Sequence, residues 1–192
     1  KFTAMYDYPE DPSRANYYGS ISQMDHALGR LLQALDDQHL ADNTIVWFTS
    51  DNGPARTRWH NAGSAGPLRE FKGHIYDGGI RIPGIVRWPG HVKPGTVSDE
   101  PICGTDFLPT VCDIVGIAPP ADRTIDGESM RRLLEQGSQQ RTKPLYWEFI
   151  FAQMVAGFPS AAYWASRSIM ASSLSRSPRG AIASFSSVSG RA

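Results

Sequence analysis

The sequence predicts an α/β fold, and three observations carry that expectation. Tyr18, Ile21, Met24, Leu28, Leu31, Leu32 and Leu35 recur at steps of three and four, one face of an amphipathic helix of about 20 residues. The run 44–49 (TIVWFT) is β-branched and aromatic without polar alternation, which predicts a strand buried on both faces of a parallel sheet. Helix, short loop and buried strand together make half of an α/β repeat.

The elements follow in order. Residues 1–14 hold prolines and aromatic side chains without period and read as an extended entry segment. The helix runs from about Ala15 and is closed by Asp36, Asp37 and His39, after which Asp42-Asn43 turns the chain into the strand. Residues 53–79 are rich in Gly, Pro, Asn and Arg and have no period, a long loop of the kind kept for function. A second strand is predicted over 80–88, with Pro83 and Pro89 bounding its core. Residues 106–115 read as a short helix, with Asp106 near its start, Pro109 in its first turn and Gly116 past its end. Another short helix spans 128–135 before Gly137, and 145–149 opens a further strand.

Composition limits the functional classes. The chain has 192 residues, 41% of them hydrophobic, which excludes a disordered or collagen-like chain. Its 19 Lys plus Arg balance 19 Asp plus Glu, so charge gives no reason to expect nucleic acid or an anionic membrane as partner. No apolar run reaches the roughly 18–20 residues of a bilayer span, and the N-terminus lacks the zones of a signal peptide. A chain that begins at Lys1 reads as a processed or truncated end. The charge is unevenly spread: residues 1–150 carry all 19 acids and 15 bases, whereas 151–192 carry four Arg, no Lys, no acid, 11 Ser and 9 Ala. A boundary therefore falls between 1–149 and 150–192. The second part reads either as a flexible basic tail, as the product of a slipped reading frame, or as a terminal subdomain. Cys103 and Cys112 fit neither a zinc site nor a disulfide framework and read as buried structural thiols.

The sharpest constellation is Thr49-Ser50-Asp51-Asn52-Gly53, directly after the first strand. Ligands of open α/β sheets collect at the carboxyl ends of strands, where loops converge. A carboxylate beside an amide carbonyl is hard, oxygen-only ligation, suited to Ca²⁺ or Mg²⁺. The same letters also make a common tight turn, so both readings stay open on these residues alone. Lys72 lies between glycines in a loop that can return to the same strand end, where its ammonium would partner an anion. Gly78-Gly79 would permit a positive φ before the next strand. His74, His60 and Arg69 are candidates for the rim of such a pocket. Arg69 and Arg81 could attract an anionic substrate, although such arginines more often make surface pairs. His26 and His39 read as structural and His91 as turn surface.

These motifs, in this order, resemble the sulfatase family of the alkaline phosphatase superfamily. Residues 17–35 look like its helix before the metal strand, 43–54 (NTIVWFTSDNGP) like its metal strand and motif, and 68–83 (LREFKGHIYDGGIRIP) like its lysine loop. Trp88-Pro89-Gly90, Asp106-Phe107-Leu108-Pro109-Thr110 and Asp126-Gly127 continue the likeness over about residues 15–149. It implies part of an alkaline-phosphatase-like sandwich with a mostly parallel central sheet flanked by helices. It further implies hydrolysis of sulfuric esters of a small molecule or carbohydrate. By position Asp51 and Asn52 match metal ligands, with Ca²⁺ preferred to Mg²⁺, and Lys72 matches the lysine that contacts sulfate. Relatives are commonly exported.

The family's nucleophile is a formylglycine made from the Cys or Ser of C/S-x-P-x-R. Glu10-Asp11-Pro12-Ser13-Arg14 ends like that motif, but Glu10 stands where Cys or Ser is required, so the likeness there reads as coincidence. Neither cysteine is followed by x-P-x-R. The resemblance thus implies the C-terminal portion of such an enzyme, inactive alone, with the nucleophile elsewhere. Two alternatives are a phosphoryl or phosphonate ester hydrolase of the same superfamily and a non-catalytic truncated product.

Overall fold

The computed structural model describes residues 1–56, 62–149, 152–156 and 168–170. The first long helix, α1, spans Pro12–Asp37, because Asp11 provides its cap and Pro12 takes its first position, where no amide hydrogen bond is lost. The Asp11 carboxylate accepts hydrogen bonds from Ser13 Oγ at 2.7 Å and from the Arg14 amide at 3.2 Å. The five letters 10–14 are therefore a helix start. Residues 1–11 are not the extended entry segment that the sequence predicted. They form a 3₁₀ turn at Thr3–Met5 and fold back on α1, with Tyr6 Oη 2.6 Å from Ser22 Oγ and the Tyr6 and Tyr8 rings packed on Tyr18. The aromatic spacing that looked aperiodic is that of a cluster.

The Ser13 hydroxyl, then the Arg14 amide, holds the Asp11 carboxyl below its ordinary 3.8. A depressed folded value means that the cap's contribution is present above the unfolded value and lost as pH falls through the folded one. Protection of the Ser13, Arg14 and Ala15 amides, taken relative to their intrinsic exchange rates, should therefore fall on acidification below about pH 4 in the wild type. Asp11→Ala should show fast exchange at neutral pH as well, and equal protection in the two proteins would refute the cap.

The period of α1 is as predicted, but its burial is not. Only Ala15 and Gly19 are buried, while Ile21, Met24 and Leu31 are exposed. The elements packed on α1 are the 3₁₀ turns Thr3–Met5 and Ala41–Asn43, which are too short to cover the stripe.

Strand β1 is Val46–Thr49 and β2 is Gly84–Arg87. They pair antiparallel, Val46 opposite Arg87 and Thr49 opposite Gly84. This corrects the expectation of a parallel strand buried on both faces: Val46, Trp47 and Phe48 are each half-buried. The physical reason lies between the strands. A parallel partner needs a crossover, usually helical, to carry the chain back to the other end of the sheet. Among the described residues of 50–83 the helical structure is the single turn α2, Asp77–Ile80, and the chain returns at the end where it left. The segment expected to begin the second strand is thus partly this turn. Strands β3 (Thr96–Ser98) and β6 (Ser168–Met170) complete a sheet of order β1-β2-β6-β3, with β2 and β6 parallel and β3 and β6 antiparallel. A separate antiparallel ladder joins β4, Leu145–Phe149, to β5, Ala152–Ala156. The α/β class holds, with mixed pairing among the described strands.

The expected short helices form as α3, Phe107–Val115, and α4, Arg131–Gln136, each ended by a left-handed glycine, Gly116 or Gly137. Val86, Trp88, Val92, Met130, Leu133 and Leu134 are the buried core, flanked by Trp47, Ile102 and Ile114. The core therefore joins the end of β2 to α3 and α4 and leaves the 50–83 loop on the sheet's edge. Cys112 is buried as expected; Cys103 is only half-buried, because it precedes the turn Gly104–Asp106 at the mouth of a cleft. No helix among the described residues is long and apolar enough to cross a membrane.

Candidate functional site

The hairpin-like return of β1 into β2 places Asp51 and Lys72 in one loop system at one end of the sheet. Thr49 Oγ1 donates to the Pro83 carbonyl at 3.0 Å and so ties the exit of β1 to the entry of β2. Within the loop, the Gly53 amide donates to Gly79 O at 2.8 Å, the Lys72 amide to Pro54 O at 3.1 Å and the Gly78 amide to Arg69 O at 2.7 Å. The first two of these bonds lash the Asp51-Asn52 turn to the Lys72 loop, and the third closes that loop on itself.

Glycine is required here by space. A Cβ on Gly53 would lie 1.8 Å from Gly78 O, one on Gly78 would lie 1.9 Å from Glu70 O, and one on Gly79 would lie 2.0 Å from His74 O. Gly78 and Gly79 do not use the positive φ that glycine would permit them. They are glycines because backbone meets backbone. Among the described residues of the loop, Gly66 and Gly73 take positive φ, and so does one residue that is not glycine, Glu70, at φ 65°, two positions before Lys72. A side chain other than glycine in that region is uncommon and marks a locally constrained backbone. No composition signal pointed to it.

The lash brings Lys72 Nζ to 3.9 Å from Asp51 Oδ2, with side chains 55% and 81% exposed. At that exposure an ion pair is worth roughly 0–1 kcal/mol, too little to hold two loops together. The backbone bonds and glycine contacts set the geometry, and the charges are left facing outward. Ser50 Oγ donates to Asn52 O at 3.1 Å and steadies the turn. Beside Asp51 opens a cleft of about 430 Å³ whose walls include Trp47, Ile82, Phe107 and Trp147.

The other predicted site residues divide. His74 does not reach toward Asp51: its ring packs edge-on against Phe71 at 4.7 Å, its Nδ1 lies 3.2 Å from Phe71 O and its Nε2 lies 3.8 Å from Glu70. Arg69 lies over the Tyr76 ring at 3.7 Å, whereas Arg81 pairs with Asp77 at 3.8 Å. Burial pushes the Asp77 carboxyl above its ordinary range, and the Arg81 charge pulls it partly back. His60 lies outside the described residues. Asp51 and Asn52 offer the donor chemistry of a hard-cation site, but Ca²⁺ takes six to eight oxygens. Among the described residues no group of three or more His, Cys, Asp or Glu side chains converges. Two donors are fewer than such a shell needs.

With this geometry in hand, comparison with known proteins is decisive at the family level. The family model Sulfatase matches residues 1–117. The chain belongs to the sulfatase family. The chain is 42% identical over 142 residues to a steryl-sulfatase of Mus musculus, covering 70% of this chain and 22% of that protein. It is 38% identical over 135 residues to the N-acetylgalactosamine-6-sulfatase of Homo sapiens, covering 70% and 26%. Among solved structures, a sulfatase from Pseudoalteromonas sp. superposes with a TM-score of 0.61 at 31% identity, over 67% of this chain and 26% of that one. Ps i-CgsB in complex with k-i-k-neocarrahexaose superposes with a TM-score of 0.62 at 26% identity, over 75% and 32%. The chain thus spans about a quarter of the length of the curated relatives it matches.

Proposed function

We propose that this sulfatase chain contributes one side of a site that hydrolyses sulfate esters of a small molecule or carbohydrate. The observation that carries the reading is the approach of Lys72 Nζ to Asp51 Oδ2 across two loops lashed together by backbone bonds. A cation-ligating carboxylate and an anion-binding ammonium then share one exposed face.

In this reading the Asp51 carboxylate and the Asn52 side-chain carbonyl hold a divalent cation, Ca²⁺ rather than Mg²⁺. Two flexible oxygen donors on a turn suit the larger ion, which tolerates irregular geometry. When bound, such a cation supplies Lewis acidity and a template for the sulfate oxygens. Lys72 offsets charge on a sulfate oxygen and orients the ester, an interaction that matters more as charge builds in the transition state. The sequence 1–192 contains no C/S-x-P-x-R, so the formylglycine nucleophile is assigned to polypeptide outside it, and the chain alone is proposed to be inactive. Export from the cytoplasm is part of the same proposal.

The test uses the 192-residue chain, titrated separately with CaCl₂ and with sodium sulfate while amide resonances of 50–54 and 70–74 are followed. Asp51→Ala should weaken Ca²⁺ binding by more than the roughly 10-fold that loss of an outer-shell partner costs. Lys72→Ala should weaken sulfate binding and spare Ca²⁺. Unchanged Ca²⁺ affinity in Asp51→Ala would refute the ligand assignment.

A further inference from the structure

We infer that the site accepts a substrate carrying a second anionic group besides the ester that reacts, and that Arg69 and Arg56 form the subsite for it. This rests on the sulfate-site reading above and adds to it a class of substrate: polyanionic rather than singly charged.

Two arginines of the loop system that carries Lys72 lie against rings instead of carboxylates. Arg69 sits 3.7 Å over the Tyr76 ring, and Arg56 sits 5.6 Å over the ring of Phe71, the residue directly before Lys72. Neither forms an ion pair among the described residues, whereas Arg81, Arg87, Arg131 and Arg141 each do. A guanidinium held over a ring face keeps its charge and leaves N–H groups to donate to an anion, often in a bidentate manner. A carboxylate partner would have neutralised the charge and occupied that edge. The backbone of Arg69 is fixed within the loop that carries Lys72, since its carbonyl accepts from the Gly78 amide at 2.7 Å.

Charge along the chain agrees. Residues 54–76 hold four Lys and Arg against one Glu, a surplus of three positive charges. The rest of 1–150 holds 11 bases against 18 acids. An otherwise acidic segment thus presents one basic loop, at the site, and Lys72 already faces Asp51. A sulfate monoester brings a single negative charge, which Lys72 and a bound cation suffice to meet. The two further guanidiniums are surplus to that need and match a second sulfate or a carboxylate on the same molecule.

Three probes test this on the 192-residue chain by calorimetry: a disulfated disaccharide, its monosulfated counterpart and an aryl monosulfate. The wild type should bind the disulfated probe about tenfold more tightly than either other, the worth of one charge-assisted contact. Arg69→Gln and Arg56→Gln should each shrink that ratio, and the pair together should bring it close to one. The ratio should also fall with added salt more steeply in the wild type than in the double variant. Lys72→Ala reads the sulfate site itself and should weaken all three probes. If Lys72→Ala weakens all three while the arginine variants leave the ratio unchanged, the sulfate site stands and the second subsite is wrong. If Lys72→Ala alters none of them, the sulfate-site reading fails and this inference with it. An aryl monosulfate bound as tightly as the disulfated probe likewise overturns the polyanion and favours an apolar substrate. Amide resonances of Gly53, Gly78 and Gly79 report whether each variant keeps the lash.

Discussion

Gly79→Ala should destabilise the chain by about 3 kcal/mol, the upper end for overpacking, and should separate Asp51 from Lys72. The new methyl would lie 2.0 Å from His74 O and 2.8 Å from Phe71 O, and both obstacles are backbone, which cannot rotate away as a side chain can. To admit it, the Phe71–His74 turn must move outward, and Lys72 sits inside that turn. The Gly79 carbonyl that accepts from Gly53 would move as well, so the Asp51-Asn52 turn loses its anchor. Stability and site geometry should therefore fail together. Gly29→Ala is the control: it lies within α1 with nothing within 4 Å of an added Cβ, and alanine there should stabilise the helix by roughly 0.5–1 kcal/mol. Urea denaturation measures the first effect, and the amide shifts of Asn52, Gly53 and Lys72 measure the second. A Gly79→Ala protein with wild-type stability and unshifted resonances would show that the lash does not set the site.

How much of this was legible depended on whether the signal was local. The period of α1, the αL glycines closing α3 and α4, and the Asp51-Asn52 turn after β1 are written in adjacent letters and were read from them. The direction of β1 was not, because an apolar run looks alike in either pairing; what goes with it is a loop whose described residues hold one helical turn and no crossover helix. Gly78-Gly79 were noticed for the wrong reason. Sequence suggests conformational freedom for a glycine pair, whereas their role is to let Glu70 and His74 carbonyls approach. The exposed stripe of α1 shows the same limit: periodicity says which residues share a face but not what covers it. Arg69 was identified as a rim candidate without the means to see that it stacks on Tyr76, since a cation–ring contact across seven residues of irregular loop has no spacing rule. Asp106 was the largest omission, read only as the start of a helix.

Arg141→Met should cost about 3–5 kcal/mol, because it leaves the Asp106 carboxylate buried without its counter-charge. Asp106 and Arg141 are 0% and 3% exposed, and the guanidinium binds both carboxylate oxygens. The same carboxylate accepts from the Cys103 amide at 2.8 Å and the Glu128 amide at 3.0 Å. Arg141 reaches Glu128 Oε1 at 3.4 Å, and Glu128 in turn takes the Thr142 amide at 3.0 Å. Three segments far apart in sequence, 103–106, 127–128 and 141–142, are thereby joined at one buried point, and the first of them carries Cys103 and Gly104 on the wall of the cleft beside Asp51. Gly127 is part of the joint, since a Cβ there would lie 2.1 Å from Thr105 O. One donor, Arg141 Nε, has no partner among the described residues, so the pair is not a large net source of stability; its importance lies in the cost of breaking half of it. Asp106→Asn should also destabilise, but by less, because the guanidinium keeps its 3.4 Å pairing with Glu128. The double variant Asp106→Asn/Arg141→Met should then cost clearly less than the sum of the singles, because neither charge is left behind, and residues in one network couple in this way. Urea denaturation of the four proteins closes the cycle. Single variants within 1 kcal/mol of the wild type, or strict additivity, would mean that water reaches the pair and that the joint is held by its backbone amides alone.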